Sequence, residues 1–304
     1  MKTIRGLCPQ VKFLNMLTID PGYKQYLKDN FKRETEKEIR SYNSFLASAI
    51  RIENKDIFFS RDKTSGRFHS NLTTMPKALR QFLRFKGKPL INLDVKNCQP
   101  FLSILLLTNP GKVAPLTKNP VFHKLVKSLK TSKCKDVMNY LYLTVNGKFY
   151  NFLIDEFRKE GIVFSVNYDK NRDAAKKQVL RILYSANPMP RNETDKKCKQ
   201  VFKKSFPTVF KIFNKLRGTE NGDHFVNFKR FAILLQTIES FLILDTILKR
   251  IYREFTGTFA LSIHDSITTT ENNVETVYRV MHDEFRSYTG FEAPIKKEGI
   301  KTTQ

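Results

Sequence analysis

Tryptophan is absent from the 304 residues, and acidic charge is scarce, with 29 Asp and Glu against 54 Lys and Arg. The four cysteines, Cys8, Cys98, Cys134 and Cys198, are too scattered to form the paired spacings of a zinc site. Their spread points to a reduced, cytoplasmic protein. No apolar run approaches the roughly 20 residues that cross a bilayer. The most apolar stretches, Phe101 to Leu107 and Phe241 to Leu248, are far shorter, and Met1 to Asp20 does not read as a signal peptide. No lipidation signal or basic amphipathic anchor stands out. A Walker loop, a dinucleotide fingerprint, internal repeats and low-complexity tracts are also missing, which excludes the nucleotide-binding classes those motifs define.

What is present is a sizeable core and a large positive charge. Hydrophobic residues make up 40% of the chain, including 26 Phe, enough to bury one large domain or two modest ones. Most of those rings belong to the core, although Phe also offers surfaces on which bases stack. A net charge of +25 far exceeds what solubility requires and implies a polyanionic partner, nucleic acid first.

The periodicity gives an α+β order. Tyr23 to Glu53 reads as charged helix, a lever or thumb, and polar residues with Gly66 mark a turn between Arg61 and Arg67. A basic helical segment follows Pro76, and Pro89 to Asp94 reads as a short buried strand ending at a carboxylate. Helical patterns return over Phe101 to Leu107, Val121 to Phe157 and Asp169 to Tyr184, the last starting near Asn171 and stopping before Asn187-Pro188. A basic stretch, Lys196 to Arg217, leads through the loop 218–223 to a long, mostly apolar helical run, Phe228 to Phe255. Phe259 to Thr270 alternates as strand, tight turn and strand around His264-Asp265, and an amphipathic helix, Val274 to Tyr288, follows.

Asp94 and Asp265 thus fall at or near strand ends, where one sheet would bring them together. Taken singly, an Asp at such a place is most often a turn or cap residue. A pair is what a two-metal site requires, because shared carboxylates hold hard cations that activate a hydroxyl and stabilise a leaving oxygen. On the Asp169 to Tyr184 helix, Arg172, Lys176, Leu180 and Tyr184 recur at four-residue intervals, so two cations and a ring share a broad face on which a triphosphate would lie. The plain alternative is a solvated surface helix. Lys196, Lys197, Lys199, Lys203 and Lys204 form a charge run suited either to solvent or to phosphate. His69 reads as a turn residue, and His224 and His282 as surface residues.

Four segments resemble, in order, those of the family A DNA polymerases and the related single-subunit phage-type RNA polymerases. Ser65-Gly66-Arg67 with Asn71-Leu72 and Pro76 is similar to the family's Thr-Gly-Arg stretch, and Leu93-Asp94 to Gln99-Pro100 resembles motif A. Arg172, Lys176 and Tyr184 match motif B, and His264-Asp265 matches the dipeptide of motif C. Gln236 falls where the family has a Gln at the duplex minor groove. The match runs from about Arg61 to Thr270 with unmatched inserts. It departs from the family at Ser185 in place of Gly, Leu180 in place of Phe, and Gln99 in place of the Glu that packs against the sugar.

The resemblance implies a right-hand fold with a small antiparallel palm sheet, mostly helical fingers and a reduced thumb. Residues 1–60 would be the helical N-terminal segment or thumb, 61–104 and 227–304 the palm, and 105–226 the fingers. It implies a minimal DNA polymerase without proofreading, Asp94 and Asp265 holding two Mg²⁺ ions, with Mn²⁺ as the alternative. Arg172, Lys176, Leu180, Tyr184 and Gln99 would meet the nucleoside triphosphate, and Arg67, Asn71, Gln236 and His264 the DNA template and primer. A monomer serving a phage, plasmid or mobile element, with an accessory replication protein for processivity, fits the same pattern. An RNA polymerase, a primer-independent enzyme of the same fold and a non-catalytic nucleic-acid-binding protein are the alternatives. The bulk of Gln99 at the sugar favours DNA synthesis.

Overall fold

Pro89 to Asp94 does form a strand, and it is the centre of an antiparallel sheet. The computed structural model describes residues 8–131, 133–184, 192–217 and 224–299, apart from the side chains at 8, 168, 169 and 224–228. Two compact units emerge, one from Met1–Val95, Ser240–Phe285 and Ile295–Gln304, the other from Lys96–Glu239 and Arg286–Pro294.

All strands among the described residues belong to the first unit: β1 (Leu17–Ile19), β2 (Phe59–Arg61), β3 (Phe68–Ser70), β4 (Leu83–Phe85), β5 (Lys88–Val95), β6 (Ala260–Ile263), β7 (Ser266–Thr270) and β8 (Ile295–Gly299). The main sheet runs β1-β4-β5-β7-β6, with β8 also paired to β5. One edge of β5 is therefore shared, β4 taking Lys88 and Pro89 and β8 taking Ile91 to Val95, while β7 lies along the other edge. Alternation along β5 buries Ile91, Leu93 and Val95 and leaves Asn92 and Asp94 half-exposed. Each buried aliphatic side chain contributes about 1.5–3 kcal/mol and fixes the register, since a one-residue slip would bury Asp94 instead.

The Cys8–Met16 helix and the stretch Phe241–Leu248 pack on β6. Beside them Phe13, Phe85 and Phe259 form a ring cluster, with Phe85 and Phe259 stacked at 3.9 Å. Phe241–Leu248 is π-helical, and Thr246 Oγ1 donates to the carbonyl of Phe241 five residues back at 3.2 Å. From this stretch Asp245 grips Arg61 in a two-pronged pair, Nη1 to Oδ1 at 2.7 Å. Arg61 Nε donates to the Gly66 carbonyl at 2.8 Å. The β2–β3 hairpin is thereby tied to the π-helical turn.

The N-terminal residues are not wholly helical. β1 pairs with β4, and the helix expected over Tyr23 to Glu53 is two helices, Gly22–Asn30 and Glu36–Glu53. The break falls where Arg33 adopts φ 63° and Thr35 starts a capping box with Glu38. After Pro76 the chain makes a 3₁₀ helix, Lys77–Phe82. The expectation that no apolar run reaches membrane-spanning length also needs correction: Lys229–Glu254 forms a helix of 26 residues that is long and apolar enough to do so. Its most apolar window is 61% buried, as in a core helix of a globular fold.

The second unit is helical among its described residues. Cys98–Thr108 is mostly apolar and buried along nearly its whole length, apart from Gln99 and Thr108. Tyr140, fully buried, packs edge-on against Phe149 at 5.1 Å and Phe206 at 5.4 Å. Its hydroxyl meets Ser103 Oγ at 2.8 Å and the Pro100 carbonyl at 3.3 Å, which anchors the first turn of the Cys98–Thr108 helix. Asn119 and Asn192 cap the Pro120–Lys127 and Glu193–Ser205 helices through their side chains.

Candidate active site

β5 and the β6–β7 hairpin converge on Asp94 and Asp265. Asp94 pairs with Ser266 across the ladder, and the Val95 amide donates to the Asp265 carbonyl at 3.4 Å, so the two aspartates occupy adjoining strand ends. Both are half-exposed and reachable from solvent. Two carboxylates, with remaining positions left to water, backbone carbonyls and substrate phosphates, form the donor set Mg²⁺ takes. Among the described residues no group of three or more His, Cys, Asp or Glu gathers as a metal site, so a closed cage of the zinc type is not built there.

Ile263 pairs with Ser266, which makes His264-Asp265 a two-residue loop. His264 carries φ 53°, a left-handed conformation at the first loop position, where a tight hairpin ordinarily takes Gly. An imidazole there costs strain of order 1 kcal/mol, and such strain collects at functional sites. Burial, then the neighbouring Arg67, His69 and Arg80, push the His264 pKa down to about 4. The His69 ring lies 6.2 Å from that of His264, and His264 Nδ1 is buried without a hydrogen-bond partner.

Arg67 is positioned by Asp62. That carboxylate accepts from the amides of Thr64 at 2.8 Å, Ser65 at 2.6 Å and Arg67 at 3.0 Å, and from Ser65 Oγ at 2.8 Å. Burial raises its pKa, but these bonds from Ser65, Thr64 and Arg67 outweigh it and bring the carboxyl down to about 2. Gly66 takes φ 75° inside this loop, with Arg61 Nη2 and Ser240 Oγ each 3.4 Å from where a Cβ would sit. Arg67, His69, Arg80 and His264 thus form one cluster beside Asp265. Asn71 does not join it. It is 4% exposed, accepts from the Phe58 amide at 2.9 Å and donates to the Asp56 carbonyl at 2.8 Å, so the expected nucleic-acid contact gives way to a buried backbone clamp.

In the helical unit, the Tyr168–Tyr184 helix starts at Asn167, whose Oδ1 accepts from the Lys170 amide at 3.0 Å. Asn171, expected near the start, is buried and instead accepts from the Phe164 and Ser165 amides. Ala175, Val179, Ile182 and Leu183 are buried on one face; Arg172, Lys176, Leu180 and Tyr184 emerge on the other. Neither Arg172 nor Lys176 forms an ion pair among the described residues. Ser185 lies outside the described residues, as do Asn187-Pro188 and the loop 218–223.

Tyr184 Oη donates to Gln99 Oε1 at 2.5 Å, and Gln99 Nε2 donates to the carboxylate of Glu239. Glu239 is 2% exposed and did not figure among the residues singled out from sequence. A lone carboxylate inside the apolar run Ile233 to Leu244 was its signal. Gln236 is half-exposed on the same helix. Within the basic stretch, Lys196 pairs with Glu193 and Lys204 with Glu160. Lys199 sits over the Phe210 ring at 5.9 Å, its pKa pushed to about 8 by burial, then by Arg217 and Lys203.

The chain is mostly helical and carries an antiparallel sheet, with acidic residues at adjoining strand ends. The structure is similar to the POL domain of Pol1 from M. smegmatis, solved in complex with DNA primer-template and dNTP, with a TM-score of 0.51 and 10% identity. The similarity covers 90% of this chain and 54% of that one, so the chain spans about half the length of its structural neighbour. At that identity the likeness concerns the fold alone. No family model and no curated protein matches the sequence.

Proposed function

We propose that the chain is a template-directed nucleotidyltransferase, a DNA polymerase of the family A type, arranged as a right hand. The sheet unit would serve as palm, with the residues before β2 as a reduced thumb, and the helical unit as fingers. The observation that carries this reading is the register that pairs Asp94 with Ser266 and sets Asp265 beside Val95. The fold's likeness to a domain solved with DNA primer-template and dNTP supports it.

Asp94 and Asp265 would hold two Mg²⁺ ions, which supply a more acidic primer 3′-hydroxyl and a counter-charge for the triphosphate. Arg172 and Lys176, four residues apart on the accessible face of their helix, would bind the phosphates and neutralise charge on the departing pyrophosphate. Tyr184 would stack at the nascent pair, with Leu180 beside it and Gln99 at the sugar. Arg67 and His264 would position the primer end, and Gln236 would meet the duplex. The large positive charge would follow the nucleic-acid backbone, so affinity falls steeply as salt rises.

The test is primer extension by the purified chain with Mg²⁺, labelled dNTPs or NTPs, and primed or unprimed templates. Metal-dependent dNTP addition to a primed template is expected. Binding without any synthesis on every template would show a nucleic-acid-binding protein instead, and strong preference for NTPs would make it an RNA polymerase.

A further inference from the structure

Glu239 is a buried carboxyl group that the proposed chemistry does not use. It lies near the end of the His224–Ser240 helix, 2% exposed, and its carboxylate accepts from the side-chain amide of Gln99. The other end of that amide accepts from Tyr184 Oη. A glutamine amide has one donating and one accepting end of nearly the same shape, and by itself either can face a given neighbour. In the structure the Gln99 nitrogen faces Glu239, its carbonyl faces Tyr184, and the tyrosine hydroxyl donates, so both ends of the amide are engaged.

Neighbouring packing narrows the freedom of Gln99 further. It stands in the first turn of the Cys98–Thr108 helix, and the next residue, Pro100, is held through its carbonyl by Tyr140. A side chain bonded at both ends, on a turn that is itself anchored, behaves as a fixed wall. A free glutamine would swing aside, or turn its amide to bond an incoming hydroxyl.

We infer that Glu239 is a positioning residue for sugar selection, holding Gln99 as a rigid wall against a ribose 2′-hydroxyl. This rests on the reading that Gln99 lies beside the sugar of the incoming nucleotide. Glu239 itself need not touch the nucleotide, and the effect inferred for it acts through Gln99.

The experiment compares dATP with ATP, which differ only in the 2′-hydroxyl, by equilibrium binding of each labelled nucleotide to the full chain with Mg²⁺. A primer-template ending in a dideoxynucleotide blocks turnover, so the readout is affinity rather than activity. The wild type is expected to favour dATP. Glu239→Met should lower the dATP-to-ATP affinity ratio by about tenfold or more, the scale on which a site tells an added hydroxyl apart. Glu239→Gln keeps an acceptor oxygen but adds a donor, so it should lower the ratio by less than Glu239→Met does. In a Gln99→Ala background Glu239→Met should no longer move the ratio. Thermal unfolding checks each variant; if Glu239→Met does not fold, Glu239→Asp, whose carboxylate is drawn back by one methylene, takes its place with the same expectation. An unchanged ratio in the folded variant, or an equal shift with and without Gln99, overturns the inference. Extension of an ordinary primer by wild type with an unmoved ratio sinks the inference alone. A shifting ratio without extension sinks the polymerase reading alone, and absence of nucleotide binding by wild type sinks both.

Discussion

The sheet unit and the helical unit hold their candidate residues by different means. Asp94 and Asp265 are placed by backbone pairing, since the β5–β7 register and a two-residue loop fix where the carboxylates begin. Gln99, Tyr184 and Glu239 are placed by side chains that bond one another inside a helical scaffold. A ladder fixes position whatever the side chain, so substitution there removes chemistry without disturbing structure. In a side-chain network, substitution changes position as well.

The largest expected effect lies in the ladder. Asp94→Ala and Asp265→Ala should each lower primer extension by roughly three orders of magnitude or more, as removal of a metal-holding carboxylate does. Thermal unfolding should barely move, because both residues are half-exposed. A large loss of stability would show that the carboxylates hold the sheet together and would break the contrast. Next come Arg172→Ala and Lys176→Ala on the exposed helix face, with an expected loss of about a hundredfold in kcat/KM. Stability should stay within about 0.5 kcal/mol, measured by urea unfolding.

His264→Gly sharpens the comparison within the sheet unit. Glycine relieves the left-handed strain and gives up packing and chain stiffness, so the net change in stability should be about 1 kcal/mol or less. Extension should fall all the same, because the ring beside Asp265 is gone. The smallest effect concerns Asp62. Its folded pKa, about 2, lies below the ordinary aspartate value of 3.8, so its stabilisation is complete above about pH 4 and is lost as pH falls towards 2. After allowance for solvent screening it amounts to about 1 kcal/mol. Asp62→Asn should erase that step in an acid titration followed by circular dichroism, and a retained step would assign it elsewhere.

The same contrast governs what could be read from the residues. Pro89 to Asp94 and Phe259 to Thr270 announce themselves, because alternation and a tight turn are local signals, and the Tyr168–Tyr184 helix shows its two faces in its spacing. The short strands β1 and β4 and the polar β8, Ile-Lys-Lys-Glu-Gly, carry no such signal, since only pairing with a distant strand makes them strands. The clamp made by Asn71 is legible only once the backbone of Asp56 and Phe58 is in place. Glu239 is the extreme case: its partner, Gln99, lies 140 residues earlier, and no local pattern connects them.

The pairing of β5 also bears on how the molecule is made. Asn92 on β5 bonds Thr268 on β7, 176 residues later, and Ile91 to Val95 also await β8 at Ile295–Gly299. On the ribosome Asp94 emerges long before either companion strand exists. Closing a loop of that length is slow and entropically unfavourable, so the helices of the intervening unit, with their local contacts, are free to form first. A nascent chain interrupted anywhere between Asp94 and Asp265 therefore carries half of the acidic pair and cannot assemble the centre.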